Sequence, residues 1–272
     1  MTSKNKWLSA PYIFWSTAFI IIPLCMILYY GLTDRTGAFT FDNLIAITTA
    51  GHAKALRLSL LLSLISTLVC FLLSYPLAMI LANMKANQHS LIILIFILPM
   101  WMNFLLRTLA WQSLLEKSGV INHVLTFLNL PNIRIINTPY AIVLGMVYNF
   151  LPFMVLPLYN ALSKIDKNVI NAAHDLGAGK IYTFIRIILP LSVPGIISGI
   201  TMVFIPALTT FVISSLLGGS KLLLIGDVIE QEFTRASNWH LGSGLSIVLM
   251  IFILINMIIS TVFDKDGEGS ML

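Results

Sequence analysis

Of the 272 residues, 58% are hydrophobic and only 10% are charged, with a formal net charge of +5. Soluble domains carry about 25% charged residues, so too few polar side chains are present to cover a soluble core. Lysines and arginines are scattered rather than massed, so no nucleic-acid surface is expected, and the apolar runs are continuous rather than alternating, which speaks against a membrane barrel.

Apolar runs near the ~20 residues needed to cross a bilayer predict an all-α integral membrane protein. The first span, 11–32, follows Lys4 and Lys6. It is too long for a signal-peptide core and no small-residue cleavage site follows it, so it is read as a span. A loop, 33–56, with Asp34, Arg35, Asp42 and Lys54 leads to the second span, 57–82. The short connection 83–89, with Lys85, precedes the third span, 90–110. Loop 111–138, with Glu116, Lys117, Pro131 and Arg134, leads to the fourth span, 139–162. Loop 163–190, the fifth span 191–214, loop 215–242 and the sixth span 243–263 complete a single transmembrane domain over 1–272.

An even number of spans places both termini on one side. With cytoplasmic termini, Lys4, Lys6, Lys85, Lys164, Lys167, Lys180, Arg186 and Lys265 lie inside. Arg35, Lys54, Arg57, Lys117, Arg134, Lys221 and Arg235 lie outside, eight against seven, with Arg107 at a span end. That count decides nothing by the positive-inside rule; Lys4 and Lys6 lean towards a cytoplasmic N-terminus. Pro23, Pro76, Pro99, Pro152, Pro157, Pro194 and Pro206 fall in the spans. They fit bent helices around a pathway, and equally the general enrichment of proline in membrane helices. Cys25 and Cys70 read as small apolar packing residues rather than a disulfide or metal site.

Residues 164–176, KIDKNVINAAHDL, read as a short helix with Asp166 as N-cap. Val169, Ile170, Ala173 and Leu176 fall on one face, and Gly177 supplies a left-handed stop. A second run from Lys180, KIYTFIRIIL, is expected to stop before Pro190. Two amphipathic helices outside the membrane fit an interfacial pair lying on headgroups. Ala172 and Ala173 also make the first helix slim enough to enter a protein groove.

Asn171-Ala172-Ala173, then Gly177, then Ile187, Leu189 and Pro190 resemble the cytoplasmic "EAA" loop of permease subunits in ATP-driven, binding-protein-dependent importers, with Asn171 where that family usually has Glu. The stretches 98–115, 147–167 and 216–229 resemble the polyamine branch of the family. The resemblance implies a type I importer permease (MetI-like) fold of six helices, in a bacterial inner membrane with both termini cytoplasmic. It further implies a coupling helix contacting an ATPase through Asn171, Ala172, Ala173, Asp175, Gly177 and Pro190. The partners implied are a cytoplasmic ATPase dimer, a second permease chain, an extracytoplasmic polyamine-binding protein and membrane lipid. On this reading the chain imports spermidine or putrescine by alternating access and carries no catalytic residue or cofactor. The alternatives are the same machine for an inorganic anion, a metal complex or an amino acid, or a gradient-driven transporter. The last is expected to carry intramembrane charges and internal repeats, which the spans do not offer.

GAGKI, at 177–181, is no phosphate loop, because Ile181 stands where Ser or Thr is required. His52, His89, His123, His174 and His240 sit in separate segments without paired spacing, so no metal site is expected. A polyamine path wants aromatic faces and oxygen ligands. Trp101, Asn103, Trp111 and Glu116 offer these after Pro99, as do Tyr148, Asn149, Phe150 and Tyr159 around Pro152. Against that stands the tendency of Trp and Tyr to mark the membrane boundary, which accounts for Trp7, Trp15 and Trp239. Asp227, Glu230 and Glu232 fit either contact with a substrate-loaded receptor or an ordinary solvated face.

Overall fold

The computed structural model describes residues 10–84, 98–219 and 222–269, the last eight of these as backbone. Lys4, Lys6, Trp7, Lys85, His89, residues 90–97 of the third expected span and Lys221 lie outside the described residues. Among the described residues the chain is helical, with one isolated antiparallel bridge between Thr33 and Phe39.

Among the described residues, four helices are long and apolar enough to cross a membrane: Pro11–Gly31, Ala50–Asn83, Pro139–Ser163 and Trp239–Thr261. A fifth crossing is available if Lys180–Leu191 and Val193–Thr209, which meet at 63°, act as one broken span. The fourth expected span matches its helix closely. The second starts at Ala50 rather than 57, because His52, Lys54 and Arg57 interrupt the apolar run without interrupting the helix. The third is not continuous through 110. A 3-10 turn at Leu98–Trp101 gives way to a new helix, Phe104–Leu115, capped by Asn103. The Asn103 Oδ1 accepts from the amides of Leu105 (2.9 Å) and Leu106 (3.2 Å).

The prolines do not all bend their helices in one way. Pro76, Pro152, Pro157 and Pro206 lie inside continuous helices. Pro23 and Pro190 each follow a π-turn, at Thr17–Ile21 and Phe184–Ile188. In both, the amide just before the proline reaches back five residues, Ile22 to Thr17 O and Leu189 to Phe184 O. A proline ring crowds the carbonyl four residues earlier and offers no N–H; a widened turn relieves both problems. The run from Lys180 therefore does not stop before Pro190. It continues to Leu191, and the break falls at Ser192.

The chain divides into two compact units. One comprises Arg57–Asp227 with the residues from Leu254 onward, and its core gathers Leu62, Cys70, Met146, Met154, Leu158, Val203 and Leu217. The Pro139–Ser163 helix is central to it, and Val193–Thr209 packs directly on that helix through Gly195 and Gly199. A Cβ at Gly195 would sit 2.5 Å from Ala161 Cβ and 2.8 Å from Pro157 O; one at Gly199 would sit 2.6 Å from Met154 Sδ. Without a hydrophobic force between helices in lipid, close backbone approach at small residues supplies the packing. Gly195-Ile-Ile-Ser-Gly199 is the sequence signal for it, which span assignment alone passes over. Polar groups on the Ala50–Asn83 helix are buried in the same core: Ser59 Oγ accepts from the Ile225 amide (2.7 Å) and Thr67 donates to Ser63 O (2.7 Å). Cys70 is a buried packing residue as expected, whereas Cys25 is exposed on this chain.

The other unit comprises the residues up to Leu56 with Val228–Ile253. Gly31 meets Ile247, and Gly244 lies against the backbone and Cβ of Asn43. Asn43 Nδ2 donates to Thr33 O (2.9 Å), and His240 Nδ1 lies 2.7 Å from the same carbonyl. The loop after the first span is closed by Asp34, whose Oδ1 accepts from the Thr36 amide (2.8 Å), the Thr36 hydroxyl (2.6 Å) and the Ala38 amide (3.0 Å).

Candidate coupling segment and translocation residues

The helix Lys167–Asp175 begins where Asp166, extended at ψ 122, accepts from the Asn168 amide at 2.9 Å. It ends where Gly177 turns left-handed at φ +83, while Ala178 N donates to Ala173 O and Gly177 N to His174 O, each at 2.9 Å. The apolar face differs from the expected one. Ala173 is buried and Ile170 half-buried, but Val169 is exposed and Leu176 is 90% exposed. Leu176 stands at the C-cap, past the last helical turn, so helical periodicity no longer places it. Two adjacent alanines thus face opposite ways, Ala173 inward and Ala172 outward. Asn171, Asp175, Gly177 and Pro190 are exposed with Ala172. Ile181, Tyr182 and Ile185 of the following run extend an exposed apolar surface. On the inner side, Ile170 and Ile188 share a small cavity, of about 50 Å³, with Met79, Asn83, Leu162 and Ile165, so the segment packs on the ends of two spans.

Ser192, at the break, is fully buried. Its Oγ donates to Leu189 O (2.9 Å) and takes the Tyr75 hydroxyl at 2.8 Å. The Tyr75 ring also meets Phe184 edge-on, with centroids 5.7 Å apart. Neither residue stood out in the sequence. The available signal was a tyrosine deep inside an apolar span, where its hydroxyl must find a partner.

The expected pathway residues divide. Trp111 and Tyr148 come together edge-on, centroids 5.1 Å apart. Arg107 joins them with its guanidinium carbon 5.8 Å from the Tyr148 centroid and 5.9 Å from that of Phe104. Arg107, expected only at a span end, is 7% exposed, and so places a cation against aromatic faces in the helical core. Asn149 and Phe150 turn to the core side of the same helix: Asn149 is 1% exposed and donates from Nδ2 to Gly145 O (2.8 Å). Trp101 is 78% exposed, and the Asn103 side chain is occupied by its cap. Glu116 is exposed and Tyr159 half-buried.

Asp227 departs from the expected acidic outer face. It is 2% exposed, and its Oδ2 accepts from the Leu224 amide at 2.8 Å, so it holds the chain entering Ile225–Thr234. Glu230 and Glu232 are half-buried, and Glu230 Oε1 accepts from the Thr234 hydroxyl (2.9 Å). The histidines His52, His123, His174 and His240 each set Nδ1 against a backbone carbonyl, and among the described residues no metal-binding cluster forms.

An all-helical chain with several apolar crossings and a capped, glycine-stopped helix between two of them describes a multi-pass permease. The chain belongs to the family of binding-protein-dependent transport system inner membrane components, whose model matches residues 2–265. It is 39% identical over 245 residues to the spermidine/putrescine transport system permease protein PotB of Escherichia coli, an alignment covering 87% of this chain and 89% of that one. It is 35% identical over 245 residues to the PotB of Haemophilus influenzae, covering 87% and 86%. Its fold matches a chain in the crystal structure of a bacterial alginate ABC transporter bound to a pentasaccharide-loaded periplasmic protein. That match has a TM-score of 0.77 at 18% identity, covering 94% of this chain and 93% of that one.

Proposed function

We propose that this chain is one permease of an ATP-driven polyamine importer, taking spermidine or putrescine from an extracytoplasmic PotD-like binding protein. It pairs with a second, PotC-like permease, so that each contributes half of the path, and docks on a PotA-like ATPase dimer that performs all the hydrolysis. Both termini are cytoplasmic and six helices cross the membrane. The observation that carries this reading is the 39% identity to the Escherichia coli permease over nearly the full chain. The segment 166–192 supports the coupling role: Asn171, Ala172 and Asp175 lie exposed on a helix rigidly capped at both ends, and its far end runs into a broken span. ATPase closure pushes that helix, and the run to Ser192 carries the displacement into Val193–Thr209. The aromatic faces of Trp101, Trp111 and Tyr148 serve the ammonium groups in transit; Glu230 and Glu232 face the receptor side.

Arg107 favours a second reading, the same machine for an anionic substrate. A buried guanidinium already occupies the Tyr148 ring that a polycation would use. The test is to extract the chain gently with its native partners, identify them by mass spectrometry, and measure uptake by the reconstituted complex. Saturable uptake of labelled spermidine dependent on ATP and receptor is expected. Uptake of an anion with no competition by spermidine would replace the substrate, and recovery of the chain without any ATPase would remove the importer.

A further inference from the structure

A cavity opens within the unit that contains the first helix. It measures about 580 Å³. Met26 and Tyr30, in the last turns of Pro11–Gly31, form one wall, and Trp239 and His240, the first residues of the Trp239–Thr261 span, form another. The cavity therefore sits where two apolar spans stop, at a membrane boundary. Tyr30 and Trp239, with centroids 6.2 Å apart, are the paired amphipathic rings that such a boundary selects.

Its charge has one sign. Arg35 lines the cavity and no carboxylate does. The neighbouring acid, Asp34, commits its Oδ1 to Thr36 and Ala38, and among the described residues Arg35 makes no ion pair. That closed turn fixes the backbone that presents Arg35, while His240 is held through Nδ1 by Thr33 O and Tyr30 O (2.7 and 3.0 Å). Ser237, held left-handed at φ +50, and Asn238 add a hydroxyl and an amide to the lining.

We propose that this cavity binds a phosphate group, supplied in the membrane by a phospholipid headgroup. The planar guanidinium fork matches phosphate oxygens two at a time. The volume exceeds what phosphate alone occupies and leaves room for a glycerol backbone, and Met26 leads from it along the apolar surface of the span. Free phosphate satisfies Arg35 but leaves the Met26 wall unfilled; a docked protein carboxylate does the same.

The test uses the whole transporter, stripped of lipid in detergent and titrated separately with phosphatidylglycerol and with inorganic phosphate under native mass spectrometry. One phosphatidylglycerol is expected to bind saturably, roughly tenfold more weakly in Arg35→Gln and with partial recovery in Arg35→Lys. Arg35-dependent binding of inorganic phosphate that displaces the lipid would keep the phosphate site and reassign its source. Binding of both probes unchanged in Arg35→Gln would overturn the proposal. So would crosslinking of Arg35 to a receptor protein without any Arg35-dependent phosphate binding.

Discussion

The hydroxyls of Tyr75 and Ser192 lie 2.8 Å apart, and they meet where the Lys180–Leu191 run and the Val193–Thr209 helix join at 63°. One bond thus ties the last third of the Ala50–Asn83 helix to the corner between these two runs. Tyr75→Phe removes the donor and leaves Ser192 its bond to Leu189 O, costing about 1 kcal/mol. Ser192→Ala strands a buried phenol and costs more. Both variants are expected to assemble with the ATPase yet move less substrate per ATP hydrolysed, and the double variant to be less than additive. The ratio of uptake to hydrolysis in vesicles checks this; an unchanged ratio in all three would confine the bond to stability.

Ala172 and Ala173 separate docking from folding. Ala172 is exposed, so Ala172→Glu leaves the helix intact and places an unmatched charge on the face proposed to dock on the ATPase. Co-purifying ATPase and uptake are expected to fall at least about tenfold. Ala173 is buried, and a charge there disturbs the segment itself. Full uptake by Ala172→Glu would detach this face from the ATPase.

Gly177 has φ +83, a region closed to proline and costly for other residues. Gly177→Ala is expected to lose about 1–2 kcal/mol locally, and Gly177→Pro to abolish transport while membrane insertion continues. Insertion is read by fractionation and transport by labelled spermidine.

Trp101 is so exposed that Trp101→Ala is expected to leave thermal unfolding in detergent unchanged while weakening uptake of labelled spermidine, and an unchanged uptake rate would remove the ring from the proposed path. Gly195→Val is the opposite case. Its side chain meets the Pro157 carbonyl and Ala161, so about 1–3 kcal/mol of stability is expected to be lost by overpacking. Equal unfolding temperatures for wild type and Gly195→Val would contradict the packing described.

Asp34 gives a pH dependence outside the spans. The hydrogen bond from the Thr36 hydroxyl, with help from backbone amides, holds its carboxyl below the ordinary value. A group with a depressed folded pKa stabilises the fold above its unfolded value, about 4, and loses that contribution as pH falls through the folded one. Protection of the Thr36 and Ala38 amides, taken as exchange relative to the intrinsic rate at each pH, is expected to fall only below about pH 4, and Asp34→Asn to remove that change.

The helix Lys167–Asp175 was legible in the sequence because its signals are local: an Asp at the N-cap, a glycine at the stop, charges between. The fourth span was legible for the same reason, as one apolar run from Pro139 to Ser163. What escaped depends on contacts far apart in the chain. Arg107 looked like a span-end charge until Tyr148 and Phe104 closed over it. Asp227 looked like one of three surface acids until the turn at Leu224 claimed it. Tyr75 and Ser192 carry no pattern that marks them as partners across 117 positions.

The wide turn at Phe184–Ile188 makes chain length there a matter of angular phase. A turn of that kind holds one residue more than its neighbours, so deleting Ile185 alone would restore an ordinary helix with nearly the same composition. Every residue beyond it would keep its phase about the axis, because the widened turn already holds the extra residue. Ser192 would still turn its hydroxyl towards Tyr75, and Gly195 its open side towards Pro157. Deleting a second residue, from what is then a regular helix, would swing everything beyond it by about 100° and break both contacts. The wide turn thus gives this stretch a tolerance for one lost residue that an ordinary helix lacks.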